Sequence, residues 1–200
     1  MPVSPIALFF DFASPYSYLA VCLIEDIARR HERGIEWVPM LLGPVFAATG
    51  ARPLTEQPLK GEYARIDFAR SARYFGVPYA LPSAFPVSTH QAARVLLGLQ
   101  RENSPLAVPW IHAVYGAYFA EGRNIAEMAD LHAVGAGLGL QAGQIDAWCA
   151  DPAIKAALKD NVERALRAGV CGAPFFVVDD EPFWGVDRLP QMERWMTARF

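Results

Sequence analysis

The 200-residue sequence predicts an α/β fold: a central four-stranded mixed sheet shared between the two ends of the chain, with a large all-helical insertion between strands two and three. Three stretches carry this. Ile6 to Phe10 is a continuous apolar run, as in a strand buried on both faces, and it gives way to a helix and then to a second strand, Ile35 to Leu41. From Gly43 to Arg167 strand character is scarce, and alanine and leucine recur at helical spacing. Beyond that, Phe175 to Val178, the turn Asp179-Asp180-Glu181 and Pro182 to Trp184 read as a hairpin ahead of a last helix. The expected division is 1–42 with 169–200 for the sheet unit, and 43–168 for the insertion.

The first helix starts at Ser14-Pro15, because serine is a strong N-cap and proline suits the first helical position. Leu19, Leu23 and Ile27 give it an apolar face, Glu25, Asp26, Arg29 and Arg30 a wet one, and Gly34 is its expected stop. A strand, helix and strand on this scale imply a right-handed crossover and a parallel pair. Gly43-Pro44 and Ala51-Arg52-Pro53 mark an irregular connector, followed by a helix over Glu62 to Tyr74. Gly76, Pro78, Pro82 and Pro86 keep the next segment extended.

Helices are then expected from a Ser88 or Thr89 cap to Glu102, over Val108 to Ala120, and from a capping box at Asn124 and Glu127 to the glycines at 135, 137 and 139. A short one around Gln144 to Cys149 precedes the helix that Asp151-Pro152 opens and Gly169 ends. Leu189 to Ala198 closes the chain, with Leu189, Met192, Trp195 and Met196 on one side.

Composition narrows the function. At 53% hydrophobic and 20% charged, the chain can bury a sizeable core. A net charge of −3 without a basic stripe argues against nucleic acid as partner. No window is long and apolar enough to span a membrane, and Met1-Pro2-Val3-Ser4-Pro5 lacks the pattern of a signal peptide, so a cytoplasmic protein is expected. Cys22, Cys149 and Cys171 form no Cys-x-x-Cys and read as buried, reduced thiols, with a reactive role left open for Cys171 near Pro174. His31, His90, His112 and His132 have no metal-ligand spacing, and no metal is expected.

Ser14 therefore stands where a buried strand meets a helix N-terminus, among unpaired N–H groups and the positive end of the dipole. Such a place favours an anion, in particular a thiolate. No histidine adjoins Ser14, Asp11 and Glu25 read as surface or structural groups, and there is no Gly-x-Ser-x-Gly elbow, although a distant base stays open. The simplest chemistry for its hydroxyl is donation to the thiolate of a bound thiol. Lowering a thiol pKa by about two units corresponds to roughly 3 kcal/mol, within reach of one charged hydrogen bond and a helix start.

A strand, Ser14-Pro15-Tyr16-Ser17, a helix, and then Ala173-Pro174 before a late strand together resemble a thioredoxin-like fold whose Cys-x-x-Cys has become Ser-x-x-Ser. With Gly185-Val186-Asp187-Arg188, the combination is similar over nearly the whole chain to the group of 2-hydroxychromene-2-carboxylate isomerases and kappa-class glutathione transferases within the DsbA-like family.

The resemblance implies glutathione as the thiol. Ala173 would pair with its cysteinyl backbone beside a cis Ala173-Pro174 bond, and Val186 would offer an N–H. Asp187 would hold the γ-glutamyl end, and Lys60 the glycyl carboxylate. It further implies an aromatic small-molecule substrate, a homodimer, and cis–trans isomerisation of an aromatic unsaturated pyruvate. A glutathione transferase or peroxidase, and a non-catalytic thiol-binding module, are the alternatives. The chain departs from the group at Ala51 and Val186, where an asparagine and a serine are usual, and in Phe85-Pro86-Val87-Ser88-Thr89-His90, where the isomerases carry arginine and asparagine.

Overall fold

In the computed structural model, which describes residues 4–198, the chain is organised around β1 (Ile6–Phe10). The reading made at Met1–Val3 lies outside the described residues. α1 (Pro15–Arg30) returns the chain to β2 (Ile35–Pro39), which pairs parallel with β1, Ala7 beside Glu36. β3 (Phe175–Val178) comes back antiparallel on the other side of β1, Ala7 beside Val177, and β4 (Glu181–Trp184) completes the order β2-β1-β3-β4.

The pleat explains why β1 is apolar throughout. Leu8 and Phe10 join Phe176 and Val178 in the larger core, under α1 and the last helix. Phe9, with Val38 and Phe175, faces the smaller core on the opposite side.

Seven helices run between β2 and β3: α2 (Leu42–Thr49), α3 (Lys60–Phe75), α4 (His90–Arg101), α5 (Ala107–Phe119), α6 (Met128–Gly137), α7 (Ala142–Ala150) and α8 (Pro152–Arg167). Val45 of α2 with Val162 and Ala165 of α8 roofs the smaller core. The larger core runs without a break from the sheet through α1 into α4 and α5, where Trp110, Tyr115, Tyr118 and Phe119 are fully buried. α9 (Leu189–Ala198) closes that face beside α1. The free edge of β2 is blunted, because Gln100 Nε2 donates to Trp37 O (2.8 Å) and Asn161 Nδ2 to Pro39 O (3.0 Å).

Three local expectations are corrected. The stretch from Leu42 to Thr49 is a helix, because Gly43 and Pro44 fall in its first turn, where a missing N–H is no loss. α1 ends at Arg30, and the chain turns left-handed at Glu32 (φ 52°) rather than at Gly34. α6 starts at Met128, since Asn124 spends its side chain on a turn, accepting from Ala126 N–H at 3.2 Å.

Candidate active site

Ser14 is 5% exposed and caps α1: its Oγ accepts the Ser17 N–H at 3.1 Å, with Pro15 in the first turn. The same hydroxyl donates to the carbonyl of Ala173 at 3.0 Å. The Ala173–Pro174 bond is cis, as expected from the sequence. Phe85–Pro86 is cis as well, which the sequence reading did not single out. One bond thus joins two segments 159 residues apart, the start of α1 and the turn into β3. The Ala173 carbonyl thus already has one donor, on the side that faces α1.

Gly185 N–H donates to Pro174 O at 3.0 Å, which brings the β4–α9 turn to the same tip of the sheet. Val186 is buried in the core, leaving its backbone as the part that can meet a ligand. Asp187 is 70% exposed; its Oδ1 folds over Gly185, which has φ 107°, and Arg188 lies 3.5 Å from Oδ2. A carboxylate so placed can take an ammonium group from solvent.

Lys60 is the first residue of α3 and is exposed, with no ion pair among the described residues. Lys60 N–H bonds Pro58 O (2.7 Å) across a tight γ-turn at Leu59, φ 65° and ψ −49°, leaving the α3 start without a side-chain cap. Nothing bonds Lys60 directly to Ser14 or Asp187. α3 reaches the site by another route, since Tyr16 donates to Asp67 of α3 at 2.5 Å and packs on Phe68. Although burial pushes the Asp67 carboxyl up, the bonds from Tyr16 and Arg70 carry it below its usual range.

A cleft of about 350 Å3 borders Lys60, lined among others by Thr55, Leu59 and Gly61. A second, of about 370 Å3, lies beside the β2 edge between Trp37, Gln100 and Arg164, away from Ser14.

Cys149 and Cys171 are buried and half-buried, but Cys22 is exposed at its residue surface, against expectation. Burial, with Glu25 nearby, still pushes the Cys22 thiol up to about 11, and burial takes Cys149 to about 11, so neither is a ready nucleophile near neutral pH. No cluster able to hold a metal is found among the described residues.

Sequence reasoning underrated Asp11. It is 4% exposed and accepts from Ala13 N–H, Leu42 N–H and the Thr89 hydroxyl. A single charged residue between Phe10 and Phe12 was the available signal.

Residues 5–196 match the family model described as a DSBA-like thioredoxin domain. The chain belongs to this family. Within the DSBA-like domain, a 2-hydroxychromene-2-carboxylate isomerase of Sphingobium xenophagum is 29% identical over 96% of this chain and 97% of its own. Glutathione S-transferase kappa 2 of Caenorhabditis elegans is 27% identical over 98% and 92%. Among solved structures, a 2-hydroxychromene-2-carboxylate isomerase superposes with a TM-score of 0.82 at 24% identity, covering 96% of this chain and 93% of that one. The cytosolic disulfide reductase DsbM of Pseudomonas aeruginosa with GSH does so at 0.67 and 20%, covering 98% and 94%. At these identities the superpositions establish the fold.

Proposed function

We propose that this DSBA-like chain is a glutathione-dependent cis–trans isomerase of aromatic unsaturated pyruvates, of the hydroxychromene carboxylate type. The observation that carries the reading is the Ser14 hydroxyl, fixed at the N-terminus of α1 against Ala173, with serine at both 14 and 17. Such a site has a hydrogen-bond donor and a dipole for a thiolate but no thiol of its own, so the sulfur has to come from a ligand.

Glutathione is placed along the tip of the sheet, its thiolate at Ser14, its cysteinyl backbone along Ala173 and Pro174, and its γ-glutamyl end at Val186 N–H and Asp187. Its glycyl carboxylate goes to Lys60. Relatives named as kappa transferases, and the DsbM structure with GSH, support this choice of thiol.

The thiolate adds to the conjugated carbon of the substrate, and the displaced electron pair moves onto the carbonyl oxygen. The former double bond rotates as a single bond. The electron pair then returns, the carbon–sulfur bond breaks, and glutathione leaves unchanged. Spectrophotometry on a hydroxychromene carboxylate, with and without glutathione, tests this. Turnover with constant glutathione supports it; depletion of glutathione would favour a transferase or peroxidase, and binding without turnover a non-catalytic module.

We also propose a homodimer. Outward along α3, Leu59, Tyr63, Ile66 and Tyr74 are 88%, 60%, 61% and 81% exposed, with exposed Arg70 between them. Two copies laid antiparallel about Ile66 would set Leu59 against Tyr74 and Tyr63 against Arg70, apolar on apolar and ring on cation. The absence of a Cys-x-x-Cys and the free thiols fit a reducing, cytoplasmic setting.

A further inference from the structure

Asp11 follows β1 directly and is a buried carboxylate that the reaction above leaves unused. Its Oδ1 accepts Ala13 N–H (2.9 Å) and the Thr89 hydroxyl (2.6 Å), and its Oδ2 accepts Leu42 N–H (2.7 Å). Ala13 leads into the cap of α1, Leu42 is the first residue of α2 and Thr89 is the cap residue of α4, so three helix N-termini converge on one carboxylate. All three partners donate, which suits the ionised form, although burial outweighs them and holds the carboxyl above its usual range.

Among the described residues no cation compensates it. The titratable groups that face Asp11 are Tyr115 and Tyr118 of α5, both with pKa pushed up chiefly by burial and further by Asp11. Among the described residues no lysine, arginine or histidine of α1, α2, α4 or α5 pairs with it. The Asp11 carbonyl also takes the Ser14 N–H at 2.9 Å, closing a turn from Asp11 to Ser14. Such a turn keeps its end residues within about 7 Å.

We propose that Asp11 is a positioning residue whose negative charge sets the acidity of the thiol bound at Ser14, opposing the helix start and the serine hydroxyl. The inference rests on the glutathione reading of the site. A thiolate at Ser14 is a second anion at the same helix start. At an effective dielectric near 20, two unit charges about 10 Å apart repel by roughly one pH unit.

Chemistry gives the charge a use. The sulfur has to add and then leave, and nucleophilicity falls with basicity, so the best thiol has a pKa near ambient pH. A dipole and a hydroxyl alone would make the thiolate too stable to attack well. Asp11 returns its basicity. By reciprocity, the thiolate raises the Asp11 carboxyl by the same amount.

The test uses the full chain and glutathione. Calorimetry first establishes binding; no binding by the wild type would overturn the glutathione reading and this proposal with it. With binding shown, the ultraviolet absorbance of the thiolate is titrated in wild type and in Asp11→Asn. A bound-thiol pKa lower by about one unit or more in the variant is the expected result. A pKa that is unchanged or higher overturns the role of Asp11 and leaves the site reading standing. Asn turns an N–H toward a donor and can fail to fold, so Asp11→Ser is the second variant. Wild-type carbon-13 NMR of the Asp11 carboxyl gives the same answer without mutation. Its pKa should be higher with glutathione than with S-methylglutathione, which has no thiolate, and equal values overturn the proposal.

Discussion

The Oγ of Ser14 donates to Ala173 O at 3.0 Å while accepting Ser17 N–H at 3.1 Å, so its single proton is already engaged before any ligand arrives. A bound thiolate competes with that carbonyl for the proton, and the exchange couples the cis-proline turn to the charge on the sulfur. Ser14→Ala removes a helix cap and the tie to Ala173 together. It should lower stability by about 1–2 kcal/mol and glutathione-dependent turnover by roughly ten- to a hundredfold. Thermal melts and steady-state rates measure both. Full activity in the variant would dismiss Ser14 from the chemistry.

Two glycines distinguish buried from exposed packing. A Cβ at Gly98 would come within 2.4 Å of the Trp148 ring, which is 3% exposed and packed on all sides. Gly98→Ala should therefore lose about 1–3 kcal/mol by overpacking. At Gly172 the Cβ would come within 2.6 Å of Trp184 Nε1, but that indole is 56% exposed and can swing outward. Gly172→Ala should change the tryptophan fluorescence while shifting the denaturation midpoint much less than Gly98→Ala. Equal losses at the two sites would contradict this packing.

Glu193 predicts an acid limb. Burial pushes its carboxyl up, but bonds from Arg30 Nε (2.9 Å) and His31 Nε2 (3.1 Å) outweigh it, and the net displacement is downward. A depressed carboxylate contributes stability above its unfolded pKa of about 4.3, and that contribution is lost as pH falls through the lower folded value. Glu193→Gln should thus cost up to about 1 kcal/mol at neutral pH, and the difference from wild type should vanish in acid. Denaturant unfolding across that range measures it; a constant gap would show that packing, not charge, is at stake.

The α3 face tests the proposed dimer. Ile66 is 61% exposed, so Ile66→Glu leaves the core untouched and sets two carboxylates face to face if two α3 helices meet there. Sedimentation should show monomers for the variant and dimers for the wild type, with melting of the monomeric fold little changed. A dimeric variant would move the interface elsewhere.

Legibility followed the physics of each residue. β1, the Ser14-Pro15 start and the Ala173-Pro174 turn could be read because burial, capping and proline each leave a local trace in sequence. The helix at Leu42–Thr49 could not, because Gly43 and Pro44 signal irregularity in most places and only position in a first turn makes them harmless. Thr89 was legible as a cap residue but not as a donor to Asp11, a bond spanning 78 residues. Tyr16 and Asp67 meet only because α1 and α3 pack together, and no spacing in the chain encodes that contact. Features fixed by the local backbone were thus visible, and side-chain contacts between distant segments were not.

The last prediction concerns the two ends of the ligand. Asp187 is 70% exposed and Lys60 is exposed, so Asp187→Asn and Lys60→Ala should leave the melting temperature nearly unchanged. If Asp187 holds the γ-glutamyl ammonium, its loss removes a charged hydrogen bond, raising the dissociation constant for glutathione by roughly ten- to a hundredfold. Lys60, a single flexible ammonium, should contribute less, about three- to tenfold, and its effect should fade as salt screens it. The two groups touch opposite ends of one ligand and share no partner, so in the double variant the fold-changes should multiply. Calorimetry at two ionic strengths separates the cases. An Asp187 variant that binds glutathione as the wild type does would detach the β4–α9 turn from the ligand. A Lys60 variant without effect at low salt would mean that this lysine is a solvated charge and that the glycyl carboxylate lies elsewhere.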